Sequence, residues 1–503
     1  MPIQFQRGRA GRGSGPAIPP ARGQEEVPLS RRRQRTTLVI VCLATAMLCL
    51  DIAVVNTALP FLARALHSGL SGVQWVVDAY TVALAAIVLS AGSLADRLGR
   101  RRLFVAGMVV FTASSLACAL APGIVFLDGA RAVQGVGGAA LFATSLAILA
   151  DAFPQRRDRA SAMAAYGAAI GGSFAVGPAV GGALTSWFGW QSVFWVNVPL
   201  GVAAVLGTVA WLRESRGPRA RRLDWPGQVT LSAALVLLIL ALLRGNGDGW
   251  GSPAIVSELA VAGFLLLLFA VVEHRSPTPM LPLGLFTRRD FTAAQVTAFA
   301  VSAGFFGLYL YLTLYLQNVL GLSPLRAGLA LLPGTAVLFA VSALSAPVTV
   351  RFARGLVLSA GLLLVGGGVA LMLIVGAHSS WTALLPGLIT ACAGTGLVNP
   401  AQAALALSSG RPEESGLLSG AANTFRNGGT AVGVAAFGAL IPATAALGQG
   451  SPAGYVTGLH HALLVGCGVS VAGAAGVAVL IGLGPPRTAA PVPAAATETM
   501  SEV

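Results

Sequence analysis

The chain has 503 residues, 55% hydrophobic and only 10% charged, with a mean hydropathy of +0.78. Soluble domains carry about 25% charged residues, which excludes an ordinary globular enzyme, and the high hydrophobicity excludes a disordered protein. Its 32 basic residues against 18 acidic give +14, and all 32 are Arg. Without Lys there is no phosphate-binding loop lysine and no Schiff-base lysine. The arginines lie between apolar runs and not along one face, so no nucleic-acid partner is expected.

Residues 1–35 are rich in Gly, Pro and Arg without an apolar period and read as a disordered basic tail ending in Arg31, Arg32, Arg33 and Arg35. The run that follows is too long for a signal-peptide core and carries Asp51, so it reads as an uncleaved first membrane helix. Apolar stretches of about 18–25 residues then recur, a length that spans ~30 Å of hydrocarbon only as helix. The predicted spans are 36–60, 73–94, 103–121, 124–150, 161–185, 190–212, 226–243, 254–272, 291–316, 326–350, 356–376, 380–405, 417–440 and 458–482. Placing the N-terminus in the cytoplasm puts 27 of the 32 arginines in the tails and inner loops, with Arg64, Arg244 and Arg326 outside and Arg131 and Arg426 within helices. That asymmetry predicts a cell-membrane protein with both termini cytoplasmic.

A weak repeat relates Ser68–Ser71 to Leu320–Ser323 and Ala91–Arg101 to Ala346–Gly355, at offsets of about 252 and 255 residues. The expected fold is therefore an all-α integral membrane protein of 14 helices. Two pseudo-symmetric six-helix bundles cover 36–212 and 291–482, with an inserted helix pair and its loops at 213–290 and a disordered tail at 483–503. Repeated membrane halves point to a transporter with its site between them. The five cysteines and five histidines show no metal-ligand spacing, and no metal or cofactor is expected.

Charges inside a bilayer cost roughly 2.5–3.5 kcal/mol each and mark functional sites. Asp51, Asp78 and Arg131 fall at similar depth, roughly 9–14 Å below the outer surface at the helical rise. One guanidinium can neutralise only one of two acids, leaving the other to exchange a proton; a purely structural Arg–Asp tie is the alternative. After the second span, Gly92 is expected at a close helix approach, Gly99 in a tight turn and Asp96 at a helix cap, among Arg97, Arg100, Arg101 and Arg102. On the ninth span Phe305 and Tyr309, and Tyr311 and Tyr315, form pairs one turn apart. Arg426, with Asn423 and Asn427, lies in an otherwise uncharged C-terminal half and meets either substrate or backbone carbonyls.

The segment GSLADRLGRR resembles the loop signature of the major facilitator superfamily. Leu50–Pro60 (LDIAVVNTALP), Leu127–Gly138 (LDGARAVQGVGG), Gly171–Gly182 (GGSFAVGPAVGG), Gly189–Gly201 and Ser419–Gly428 resemble motifs of its 14-helix drug:proton antiporter branch. The likeness covers about 36–482. It implies proton coupling through Asp51 and Arg131 and an inner gate at Asp96, Arg97 and Arg100; Asp78 joins the proton-coupling candidates by its depth and charge, and Gly92 and Gly99 join the gate by their place in the loop. It also implies a kinked helix 5 shaped by Gly177, Pro178, Gly181 and Gly182. Candidate cavity residues are Asn56, Gln134, Tyr309, Asn423 and Arg426. Two departures stand out: Asp78 is acidic where a polar residue is expected, and the second copy of the loop signature has Arg351 near the place of its acid. The expected function is non-enzymatic: proton-coupled export of small amphipathic drugs or antibiotics by a bacterial monomer in the lipid bilayer. Export of a metabolite, siderophore or peptide is the alternative.

Overall fold

A computed structural model describes residues 30–215, 224–345, 348, 351–410, 415–446, 448 and 450–483. The backbone but not the side chain is described for a few of these, including Ser93, Asp96, Ser415 and Gly416. Of the expected tails 1–35 and 483–503, residues 1–29 and 484–503 lie outside the described residues, as do Pro347 and Val350 of the second loop copy, whereas Arg31–Arg35, expected in the disordered tail, form the first turns of a helix that Ser30 caps.

Among the described residues there is no strand. The membrane-length elements are α1 (Arg31–Ala65), α2 (Leu70–Leu98), α3 (Arg100–Ala119), α4 (Ile124–Ala152), α5 (Arg156–Phe188), α6 (Ser192–Trp195 continued as Asn197–Trp211), α7 (Trp225–Asp248) and α8 (Pro253–Arg275). After a 3-10 turn at Leu283–Thr287 come α9 (Arg289–Val319), α10 (Pro324–Leu344), α11 (Arg354–Ile374), α12 (Trp381–Ser408), α13 (Ser415–Gly438) and α14 (Pro452–Ile481). Thirteen are long and apolar enough to cross a membrane. The other, α13, has 24 residues and is interrupted by Asn423, Arg426 and Asn427.

Most helices overrun the predicted spans because their end turns lie beyond the apolar run. Ser-Pro pairs start three of them: Ser252, Ser323 and Ser451 each accept from the backbone N–H three residues on, and a proline follows where no N–H is needed. The ninth span is not one regular helix. It loosens at Phe305 (φ −125°), passes through a 3-10 turn at Phe306–Leu308 and ends as a π-helix at Tyr315–Val319. The tenth stops at Leu344, short of the predicted 350.

Packing follows a rule. α1 packs on α5 and α6, α4 on α2 and α3, and α3 on α6; the same five contacts recur with every helix number raised by eight. Two further contacts, α2 with α13 and α5 with α10, join the two sets, and α7 lies against both α2 and α13. Gly227 on α7 explains its own small size: a Cβ there would lie 2.8 Å from Glu273 Oε1 and 3.0 Å from Asp224 Cγ. Asp224 caps α7 by accepting from Gly227 N–H (2.9 Å), and Glu273 accepts from Leu281 N–H (3.0 Å), which folds the exit of α8 back onto α7.

Helix α5 threads between α1 and α10 on alternate small residues. A Cβ on Gly177 or Gly181 would strike Ala53 Cβ at 2.3 Å or Thr57 Oγ1 at 2.2 Å, both on α1. On the opposite face, one on Gly182 would strike Pro324 O at 2.4 Å, and one on Gly328 would meet Pro178 O at 2.0 Å. Close approach of small residues is how helices associate without a hydrophobic driving force between them. The Gly328→Leu variant is expected to lose about 1–3 kcal/mol of stability through overpacking. The check is the thermal midpoint of the purified protein in detergent, which should fall clearly below that of Gly167→Ala; Gly167 faces open space.

Candidate functional site

Asp51 on α1 and Arg131 on α4 are 1% exposed and form an ion pair, Arg131 Nη1 to Asp51 Oδ2 at 2.6 Å. The rest of the carboxylate is satisfied as well: Oδ1 accepts from Gln134 Nε2 (3.1 Å) and from Asn197 Nδ2 (2.7 Å). Arg131 also donates from Nη1 to Gln134 Oε1 (2.8 Å) and from Nε to Val76 O of α2 (2.9 Å). Its guanidinium lies 4.3 Å from the Tyr80 ring centroid. Such saturation is what a buried charge requires. It depends on Gly135, where a Cβ would lie 2.4 Å from Tyr80 O; only a bare backbone lets α2 come close enough to offer Val76 O.

Asn197, absent from the sequence-based candidates, also donates to Ser115 Oγ (3.1 Å), tying α3 and α6 into the cluster. The helical break at Val196 sets it at the start of the second segment of α6. A lone Asn ahead of Pro199 in an apolar run was the available signal.

Asp78 is not drawn into that cluster. It is fully buried, and among the described residues neither carboxyl oxygen has a hydrogen-bond partner. Gln74, Asp78, Thr81 and Ala85 share one stripe of α2. Gln74 Nε2 donates to Tyr311 OH of α9 (2.6 Å), and Ala85 O accepts from Thr424 Oγ1 of α13 (2.9 Å). Asp78 thus lies on the face of α2 turned to the second set of helices. Tyr311 OH in turn donates to Val434 O (2.5 Å), and Tyr455 OH donates to Tyr311 O (2.6 Å). Tyr311 and Tyr315 do not act as the expected pair, because the π-helical turn sends Tyr315 OH to Gly376 O (2.8 Å).

At the end of the bundle where α1 gives way to α2, the two sets are laced together. Arg64 Nη2 donates to Asn318 Oδ1 (2.7 Å), Gln317 Nε2 to Thr57 O (2.9 Å) and Leu325 N–H to Ser186 Oγ (3.2 Å). At the opposite end, Gly99 adopts φ +106°, the left-handed turn its sequence position predicts. Arg100 N–H bonds Ser215 O (2.9 Å), while Arg101 N–H (3.1 Å) and Arg102 Nε (3.6 Å) engage Glu214 past the end of α6. Arg97 is exposed, and the side chain of Asp96 lies outside the described residues. Gly92 corrects its expectation: nothing lies within 4 Å of where its Cβ would be, since the close contacts of α2 with α4 come further along, at Tyr80.

The remaining candidates are spread over three helices. Asn56 Nδ2 donates to Ile52 O of its own helix (3.0 Å). Tyr309, half-buried, meets Phe305 edge-on with centroids 5.8 Å apart, and its hydroxyl has no partner. Arg426 is half-buried and bonds Asn423 Oδ1.

Among the described residues, fourteen helices in two sets, with a buried ion pair inside the first and a second acid at the seam, define the class as a polytopic membrane protein. The Major Facilitator Superfamily model matches residues 41–434, and the chain belongs to that family. It is a multi-pass membrane protein. It is 36% identical over 412 residues to the multidrug resistance protein Stp of Mycobacterium tuberculosis, covering 82% of this chain and 76% of that one. It is 34% identical over 442 residues to the methylenomycin A resistance protein of Streptomyces coelicolor (87% and 93%). It is 36% identical over 453 residues to the puromycin resistance protein pur8 of Streptomyces alboniger (88% and 89%). The fold is similar to that of the human organic anion transporter MFSD10, with a TM-score of 0.59 at 16% identity, covering 88% of this chain and 99% of that one.

Replacing Arg131 by Ala should cost about 3–5 kcal/mol by leaving Asp51 buried and unpaired. Asn197→Ala, which removes one donor of several, should cost about 1–3 kcal/mol. The Asp51→Asn, Arg131→Ala double variant should be more stable than the sum of the single losses predicts. Thermal unfolding of all four proteins checks the order.

Proposed function

We propose that this protein is a proton-coupled antiporter that exports small amphipathic drugs or antibiotics across the plasma membrane of a bacterium, as a monomer with both termini in the cytoplasm. Residues 36–212 and 291–482 act as two rocking halves, and the α7–α8 pair within 213–290 rides on α2 and α13. The observation that carries this reading is Asp78: a buried carboxyl without a partner among the described residues, on the face of α2 between the halves and outside the Asp51–Arg131 cluster. Names of the relatives, each a drug-resistance protein, support the substrate class.

In the conformation described, the end holding Arg64, Gln317 and Tyr311 is closed; with the termini cytoplasmic, that end is extracellular. Asp51, with three donors on its two oxygens, is held as the carboxylate. Asp78 carries the proton in this closed state. Substrate entering from the cytoplasm displaces it. Opening of the Gln74–Tyr311 and Gln317–Thr57 links then exposes Asp78 to the outside, where it is reprotonated as substrate leaves. Arg97, Arg100 and Asp96, at the opposite end, belong to the inner gate that forms when the halves rock the other way. The proton gradient can drive this exchange because a charge moved across the membrane gains roughly 2.3 kcal/mol per 100 mV.

In proteoliposomes with an imposed pH gradient, Asp78→Asn is expected to insert and fold normally and to lose gradient-driven efflux at least tenfold, while Asp51→Asn, which strands Arg131, should lose stability along with efflux. A panel of antibiotics and dyes in a pump-deficient host, with and without a protonophore, identifies the substrates. Efflux insensitive to the protonophore would remove proton coupling from the account.

A further inference from the structure

Helix α13 presents four polar residues on one stripe: Asn423, Arg426, Asn427 and Thr430, spaced as one helical face. Its other faces are occupied. Thr424 reaches Ala85 O of α2. Phe425 packs on Phe286, with ring centroids 5.9 Å apart. Gly429 and Gly433 abut the backbone of α9 at Phe299 and Ala303, which a Cβ would approach at 2.9 and 2.6 Å. The polar stripe is what remains, and it turns toward the first set of helices, where Arg426 lies near Cys49 of α1 and Tyr166 of α5. Arg426, Asn427 and Thr430 are half-buried, so part of the stripe is left uncovered by its neighbours.

The bonding of Arg426 is incomplete. A guanidinium has five N–H donors. Its partner among the described residues is the side-chain oxygen of Asn423, with no carboxylate in reach. This is the opposite of Arg131, whose donors meet a carboxylate, an amide and a carbonyl. Asp51 and Asp78 do not neutralise Arg426: Asp51 is committed to Arg131, and Asp78, at 0% exposure, forms no ion pair among the described residues. The lining therefore carries one uncompensated positive charge with free donors. An aromatic surface lies where α9, the neighbour of α13, meets α5: Phe306 contacts Phe174 (centroids 6.1 Å), with Tyr309 one turn on.

Resting on the exporter reading above, we propose that Arg426 is a substrate-recognition residue that selects compounds bearing an anionic oxygen group, a carboxylate or an ionised enol or phenol, next to a flat ring. The guanidinium takes the oxygens in a charge-assisted, two-pronged contact with Asn427 beside it. The ring stacks on the Phe174–Phe306–Tyr309 surface. Cationic drugs are disfavoured by the same charge.

The test uses two xanthene dyes of one scaffold, carboxyfluorescein as the anion and a rhodamine ester as the cation, with the full-length protein in nanodiscs and in proteoliposomes. Binding is read by fluorescence anisotropy and transport by efflux under a pH gradient. Wild type is expected to bind the anionic dye at least tenfold more tightly than the cationic one. Arg426→Gln should weaken the anionic dye at least tenfold, through KM more than kcat, while changing the cationic dye less than twofold; Arg426→Lys should recover part of the loss. Preference for the cation, no measurable binding of the anion, or an equal loss for both dyes in Arg426→Gln would overturn the proposal. The exporter reading itself fails on a different result, the absence of gradient-driven efflux for every compound of the antibiotic panel.

Discussion

A carboxylate and a guanidinium are buried together inside a membrane bundle, and much else in the first set of helices is arranged around satisfying them. Asp51 and Arg131 would each be prohibitively costly alone. Together they are tolerable only because Gln134, Asn197 and Val76 O complete their hydrogen bonds. That completion fixes the positions of α1, α2, α4 and α6 relative to one another. It also sets the spacing of Gly135 and Gly138, which let α2 lie against α4. One rigid half follows from one saturated ion pair.

The second acid has the opposite character. Asp78 has no donor at all, yet it sits among residues that join the halves, one turn from the Gln74–Tyr311 bond. A saturated charge stabilises one arrangement; an unsatisfied one favours whichever arrangement gives it a proton or water. Contrast between these two carboxyls links packing to movement. The close-packed glycines of α5, with α1 on one side and α10 on the other, give the halves a bearing on which to move without opening voids.

Much of this was legible in the residue order. Span positions, the common depth of Asp51, Asp78 and Arg131 and the turn at Gly99 follow from hydropathy, depth and spacing, while the choice of Asp51 as the partner of Arg131 does not. What escaped were features that depend on tertiary geometry or on breaks in helical period. Asn197 matters because α6 is interrupted at Val196. Tyr311 and Tyr315 diverge because α9 changes from α to 3-10 to π along its length. Gly92 carries the loop signature but not the close contact expected of it, since a glycine's neighbours are set by the crossing point of two helices and not by its own motif. The partner of Gly227 is 46 residues away at Glu273, a distance no local pattern spans.

The central claim is that substrate and proton compete through Asp78 while Asp51 stays ionised against Arg131. Its most direct test is proton release by the purified protein, measured with a pH-indicator dye in weakly buffered detergent solution when a transported substrate is added. The account predicts release from the wild-type protein and none from Asp78→Asn that still binds substrate. Equal release from both would contradict it.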